Sequence, residues 1–120
     1  MLRLMCKSKL HRVHITNTNP DYKGSIGIDE DLLNAAGILE WEMVLVLNSQ
    51  NGERFSTYCI PEPKGSGNIC LYGPAAKKGK VGDILIILST AFFNEDEVKN
   101  LQPKVICVNS ENKPLGSVAA

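Results

Sequence analysis

The sequence carries no net charge: thirteen Lys and Arg offset thirteen Asp and Glu across 120 residues. That excludes the global positive field of a dedicated nucleic-acid binder. Long hydrophobic runs are missing as well. The longest aliphatic run, Ile84 to Leu88, is five residues, against the roughly 20 that a membrane-spanning helix needs. The basic N-terminus has no apolar segment behind it, so no secretory signal is read and the expected location is cytoplasmic. Cysteine is sparse. Cys6, Cys59, Cys70 and Cys107 form no C-x-x-C and have no His pair nearby, which speaks against a zinc site or a disulfide framework. Cys59 and Cys107 lie in apolar stretches and are expected as buried thiols. Phosphate-loop, nucleophile-elbow and zinc-protease motifs are absent, and the glycines at 65–67 and 79–82 are expected as turns.

What is present is ordinary globular usage, 43% apolar and 22% charged, which excludes a disordered chain. The length suits one domain over residues 1–120, able to bury about two-thirds of its unfolded surface. Strand-like runs dominate. His11 to Thr16 alternates loosely, Met43 to Leu47 is continuously apolar, and Glu53 to Ile60 follows the turn signal Asn51-Gly52, so 43–60 is expected as a hairpin. Ile69 to Tyr72, Ile84 to Ser89 and Val105 to Asn109 complete the strands. Asp29 is an N-cap for a short helix over Glu30 to Ala36 stopped by Gly37, and Asn94 caps a second over Glu95 to Val98. Short strands with brief helices predict a compact barrel or sandwich. The small, polar tail after Lys113 is expected to fray.

Few residues look chemical in isolation. His11 and His14 are three apart on a strand, hence on opposite faces, and could share a metal only across a bulge. Residues 1–20 hold Arg3, Lys7, Lys9 and Arg12 with no carboxylate, a local basic bias that a solvated strand face explains as well as an anion pocket does. Lys77, Lys78 and Lys80 have the same two readings. The paired acids at Asp29–Asp31 and Glu95–Glu97 sit at helix starts, where the helix dipole accounts for them.

Taken together, several blocks resemble the pyruvoyl-dependent aspartate 1-decarboxylases, bacterial enzymes that make β-alanine for pantothenate. The blocks are Lys9-Leu10-His11-Arg12, Tyr22 with Gly24-Ser25, Ile28-Asp29 with Asp31-Leu32-Leu33, Ala35-Ala36-Gly37-Ile38, Asn51-Gly52 through Tyr58, and Val81-Gly82-Asp83-Ile84. They run in the family's order and spacing. The resemblance implies a mainly β fold, a double-psi β-barrel with two short helices, assembled as a homotetramer with active sites between subunits. It also implies a proenzyme that cuts itself between Gly24 and Ser25, leaving a pyruvoyl group formed covalently from Ser25, with neither metal nor pyridoxal phosphate.

The residue roles follow from the same resemblance. Ser25 supplies both nucleophile and leaving group, Gly24 the carbonyl, and Thr57 the hydroxyl that stabilises the oxyanion during cleavage. The pyruvoyl carbonyl then forms a Schiff base with the amine of L-aspartate and accepts electrons as CO2 leaves. Lys9 and Arg54 match the cations that hold the substrate carboxylates, Tyr58 the proton donor after decarboxylation, and Tyr22 and the loop Tyr72, Gly73, Pro74 and Ala75 the substrate-binding wall. A regular strand puts Arg54 and Tyr58 on one face and Thr57 on the other, so all three meet only at a bulge or a subunit interface.

Two positions depart from the family. Tyr72 stands where an Asn is usual, and cannot supply an amide's paired donor and acceptor; Pro74 stands where Ala is usual, and lacks an N–H. Slow cleavage, a helper protein for maturation, or a shifted preference among small acidic amino acids would fit these changes. Two alternatives stay open: an unprocessed, non-catalytic homologue acting as a binding or regulatory barrel, and a DNA-binding barrel of the swapped-hairpin kind. Zero net charge counts against the second. No nucleic acid and no membrane are expected as partners.

Overall fold

The protein is described by a computed structural model that covers the backbone of residues 1–119 and the side chains of residues 1–115. In chain order it runs β1 (Arg3–His14), β2 (Asn17–Asn19), β3 (Ser25–Asp29), α1 (Glu30–Ala36), β4 (Met43–Asn48), β5 (Arg54–Glu62), β6 (Ile69–Tyr72), a 3-10 helix (Gly73–Lys78), β7 (Ile84–Phe93), α2 (Glu95–Lys99), β8 (Lys104–Val108) and β9 (Pro114–Ala119). The nine strands form one sheet in the order β2-β6-β3-β5-β4-β7-β1-β8-β9. The mainly β architecture with short helices is that of a β-barrel, as expected. Most neighbours are antiparallel, but β1–β8, β2–β6 and β3–β5 are parallel.

Alternation sets the core. Along β4 and the first half of β7 every second side chain is buried, so Val44, Val46, Leu85 and Ile87 point into the barrel. Leu10, Val13, Ile26, Ile28, Leu32, Ile69 and Leu71 fill the same interior and are fully buried. Strand β1 alternates only loosely because it is irregular: its register with β7 shifts between Cys6 and Ser8 and again between His11 and Val13, and Arg12 between the latter pair has φ +64°. The bulge that a shared His11–His14 site would need therefore exists. Among the described residues, however, no group of three or more His, Cys, Asp or Glu is placed to hold a metal. Among the described residues no helix is long and apolar enough to cross a membrane.

Both expected helices form. Asp29 caps α1 through Asp31 N–H at 2.9 Å, and Gly37 closes it at φ +68°. The same carboxylate, fully buried, also accepts the N–H groups of Gly65 at 3.0 Å and Gly67 at 2.8 Å. One side chain thus ties the end of β3, the start of α1 and the turn before β6. Asn94 and Glu97 make a reciprocal capping box on α2.

Five features depart from the sequence expectation. Strand β3 is not among the expected strands, because all five of its residues are buried and no alternation marks it. Strand β2 is too short to carry a pattern. Tyr72 leads directly into the 3-10 helix, with Pro74 in its first turn. The tail expected to fray instead forms β9, because pairing with β8 satisfies backbone groups that this edge would leave open. Cys107, expected buried, is only half-buried, whereas Cys59 is buried.

Replacing Asp29 by Ala should destabilise the fold by about 3 kcal/mol, roughly 1 for each backbone N–H left without its acceptor. Urea unfolding measures it, and a loss below about 1 kcal/mol would contradict this role for the carboxylate.

Candidate active site

Strand β3 starts under constraint. Its residues pair antiparallel with β6, Ser25 opposite Tyr72, and parallel with β5 from Ile26 opposite Cys59. The two residues at this entry have positive φ, +86° at Gly24 and +127° at Ser25. Glycine tolerates such angles. A serine does not, and backbone held this way stores on the order of 1–3 kcal/mol. The Ser25 side chain is 1% exposed, and its hydroxyl has no hydrogen-bond partner among the described residues. A buried hydroxyl left unpaired adds about 1–3 kcal/mol of desolvation cost.

The carbonyl next to that hydroxyl is held. Tyr58 Oη donates to the Gly24 oxygen at 3.0 Å, and the Trp41 ring packs on the Tyr58 ring with centroids 5.1 Å apart. A donor on a carbonyl oxygen draws electron density from the carbon and makes it a better electrophile. Beneath the turn, Gly73 has φ +64°; a Cβ there would sit 2.6 Å from Gly24 N and 2.7 Å from its Cα. Only glycine permits that approach.

A cavity of about 370 Å³ opens on this bond, lined by Lys23, Gly24 and Ser25, by Phe55 to Tyr58, and by Tyr72, Pro74, Ala75 and Lys78. Its position resolves the strand-face difficulty for Thr57 and Tyr58, though Arg54 stays outside it. The β4–β5 pairing is regular from Arg54 to Tyr58, so no bulge intervenes, and β3 covers the other edge of β5 only from Cys59 onward. The cavity runs along that uncovered edge, which side chains from both faces can reach.

Of the residues singled out in the sequence, Gly24, Ser25, Thr57, Tyr58, Tyr72, Pro74 and Ala75 meet at this cavity. Gly73 packs beneath the turn. Thr57 lines the wall, but the hydrogen bond to the Gly24 oxygen comes from Tyr58. Tyr22 lies just outside, its ring centroid 4.7 Å from that of Tyr72. Lys9, half-buried on β1 opposite Leu88 and Val105, and Arg54, exposed at the start of β5, do not line the cavity within one chain. Its cations are instead Lys23 and Lys78. The Lys78 carbonyl is pinned by the Asn48 and Asn51 amides at 3.1 and 3.0 Å, and its ammonium pairs with Glu53 at 3.2 Å. Nothing local distinguishes Lys78 from its neighbours Lys77 and Lys80 in the sequence.

A sequence model described as aspartate decarboxylase matches residues 1–115. The chain belongs to the aspartate decarboxylase family. The aspartate 1-decarboxylase of Thermoanaerobacter pseudethanolicus is 51% identical over 115 residues, covering 96% of this chain and 98% of that protein. That of Syntrophobacter fumaroxidans is 49% identical over 96% of this chain and 93% of its own length, and that of Ralstonia pickettii 50% identical over 94% of each.

In this aspartate decarboxylase chain the two departures, Tyr72 and Pro74, both form cavity wall. Tyr72 does not turn its hydroxyl to the Gly24–Ser25 bond: it donates to Glu62 Oε2 at 2.9 Å. Burial first, then its bonds to Cys70 and Glu62, push its pKa upward, so the phenol stays a neutral donor. Next to Tyr58, the Cys59 thiol donates to the Leu39 carbonyl at 3.2 Å. Burial, assisted by the Glu42 carboxylate, raises it to about 11. A raised pKa keeps the proton on, so this thiol is no competing nucleophile beside the site at neutral pH.

Alkylation of the folded protein at about pH 8 should therefore modify the half-buried Cys6 and Cys107 and spare Cys59. Labelling of Cys59 should rise only as pH approaches about 11 or on denaturation; peptide mapping after timed labelling checks this, and early modification of Cys59 would refute it.

Proposed function

We propose that the chain is the precursor of a pyruvoyl-dependent aspartate 1-decarboxylase, which cuts itself between Gly24 and Ser25 and converts L-aspartate to β-alanine and CO2 in pantothenate biosynthesis. One observation carries this reading: a strained Gly24–Ser25 bond joins a carbonyl polarised by Tyr58 to a buried serine whose hydroxyl has no partner among the described residues.

The cleavage chemistry balances with these groups alone and water. Ser25 Oγ attacks the Gly24 carbonyl carbon; the Oγ–C bond forms, the C–N bond breaks, and the hydroxyl proton passes to the nitrogen. Release of the positive-φ backbone favours this step, and Tyr58 holds the oxygen as negative charge develops on it. Loss of the Ser25 α-proton then breaks the Cβ–Oγ bond. It leaves a carboxylate on Gly24 and a dehydroalanine, which takes up water and releases ammonia. Ser25 fits a pyruvoyl group, since the residue lines a walled cavity. That group supplies the carbonyl that captures the substrate amine and takes up electrons as CO2 departs.

The protein's own residues bind and protonate. Tyr58, freed of the Gly24 amide, returns a proton to the substrate carbon. Thr57 and the Gly73–Ala75 backbone flank the substrate. L-Aspartate has two carboxylates, and Lys9 and Arg54 lie outside the single-chain cavity. This supports a homotetramer in which neighbouring subunits bring these cations to the site. We place the enzyme in the cytoplasm and allow a helper protein to assist cleavage.

Intact mass of the purified chain under denaturing conditions tests the reading. Cleavage at Gly24–Ser25 yields fragments of 24 and 96 residues, and pyruvoyl formation leaves their summed mass about 1 Da above the precursor, where simple hydrolysis adds about 18. Ser25→Ala should abolish cleavage, and Tyr58→Phe should slow it about 100-fold. A chain that stays whole, warmed or supplied with a cell extract containing any helper, would overturn the proposal. Arg54→Ala should cleave normally and lose aspartate turnover; unchanged turnover would remove Arg54 from the substrate site.

A further inference from the structure

Tyr72 and Glu62 have no part in the bond-making steps above, yet they are tied to the turn that must cleave. Ser25 is the cross-strand partner of Tyr72. The Tyr72 ring meets the Tyr22 ring at 4.7 Å, and Tyr22 lies two residues before Gly24. The Tyr72 hydroxyl is anchored to Glu62 at 2.9 Å. Glu62 in turn lies across β3, packed where Gly27 leaves no side chain; a Cβ there would collide with its carboxylate. A hydrogen bond at one end of the phenol and an aromatic contact on its ring leave it a single orientation.

We propose that Glu62, Tyr72 and Tyr22 form a brace that holds residues 22–25 in the strained conformation from which Ser25 attacks. Glu62 is its positioning residue. The inference rests on the self-cleavage reading and adds to it the part that replaces the family's usual amide at position 72. The physical demand is clear. The positive φ at Ser25 costs energy, and a turn free to relax would move Oγ away from the Gly24 carbonyl. A displacement of about 1 Å from attack geometry suffices to slow such a step severely. The Tyr22–Tyr72 contact clamps the segment on its N-terminal side, while the β3 pairing holds its C-terminal side.

The test is the rate of cleavage of freshly purified precursor, followed by intact mass, for the wild-type chain and for Glu62→Leu, Glu62→Gln, Tyr72→Phe and the double variant Glu62→Leu with Tyr72→Phe. Glu62→Leu and Tyr72→Phe should each cleave about tenfold more slowly. Glu62→Gln keeps a carbonyl acceptor for the phenol and should stay within about twofold of the wild type. The double variant should be no slower than either single change, because both remove one hydrogen bond. Wild-type rates in Glu62→Leu or Tyr72→Phe, additive slowing in the double variant, or failure of Gln to rescue would each overturn the brace while leaving the self-cleavage reading intact. A wild-type chain that never cleaves would overturn both.

Discussion

Strand β3 is gripped on both edges, parallel to β5 and antiparallel to β6, with all five residues buried. Most of what is distinctive about the structure depends on that grip. Ser25 is the first residue inside it and Gly24 the last outside, so the change from loop to ladder falls on one peptide bond. Ladder hydrogen bonds are strong enough collectively to impose a φ that a serine would not choose. At its other end, Asp29 carries the strand into α1 and ties in the 65–67 turn. The strand cannot slide to relieve its strained entry without breaking buried hydrogen bonds.

The site's economy follows from this placement. A fold that strains one bond, polarises its carbonyl and buries a lone hydroxyl next to it has assembled a reagent from backbone and a few side chains. The surroundings keep rival chemistry quiet: Cys59 is held as a thiol and the Tyr72 phenol stays neutral. Charge at the cavity comes from Lys23 and Lys78. Lys78 is engaged with Glu53, while Lys9 and Arg54 do not line the cavity.

Much of the outline was legible in the sequence because it is encoded within a few neighbouring residues. Asp29 with Gly37 bracketed α1, Asn94 with Glu97 capped α2, and Asn51-Gly52 turned the β4–β5 hairpin. The illegible parts are those whose cause lies far along the chain. Strand β3 has no alternation because both its faces are covered, and β9 exists only because β8 offers an edge. Lys78 looks like any surface lysine until Asn48 and Asn51 pin its carbonyl at the cavity. Thr57 and Tyr58 could share a site only because β3 leaves their edge of β5 open.

By itself, then, the sequence determined the caps, the turns, the alternating core strands and the family blocks that contain Gly24-Ser25. Tertiary structure alone decided that Ser25 is strained and unpartnered, that Tyr58 reaches the Gly24 carbonyl from 34 residues away, and that Tyr72 turns to Glu62. The reason is range. Caps and turns are settled by hydrogen bonds within one or two turns of chain, whereas strain and orientation at one bond are set by the register of strands that meet only when the barrel forms.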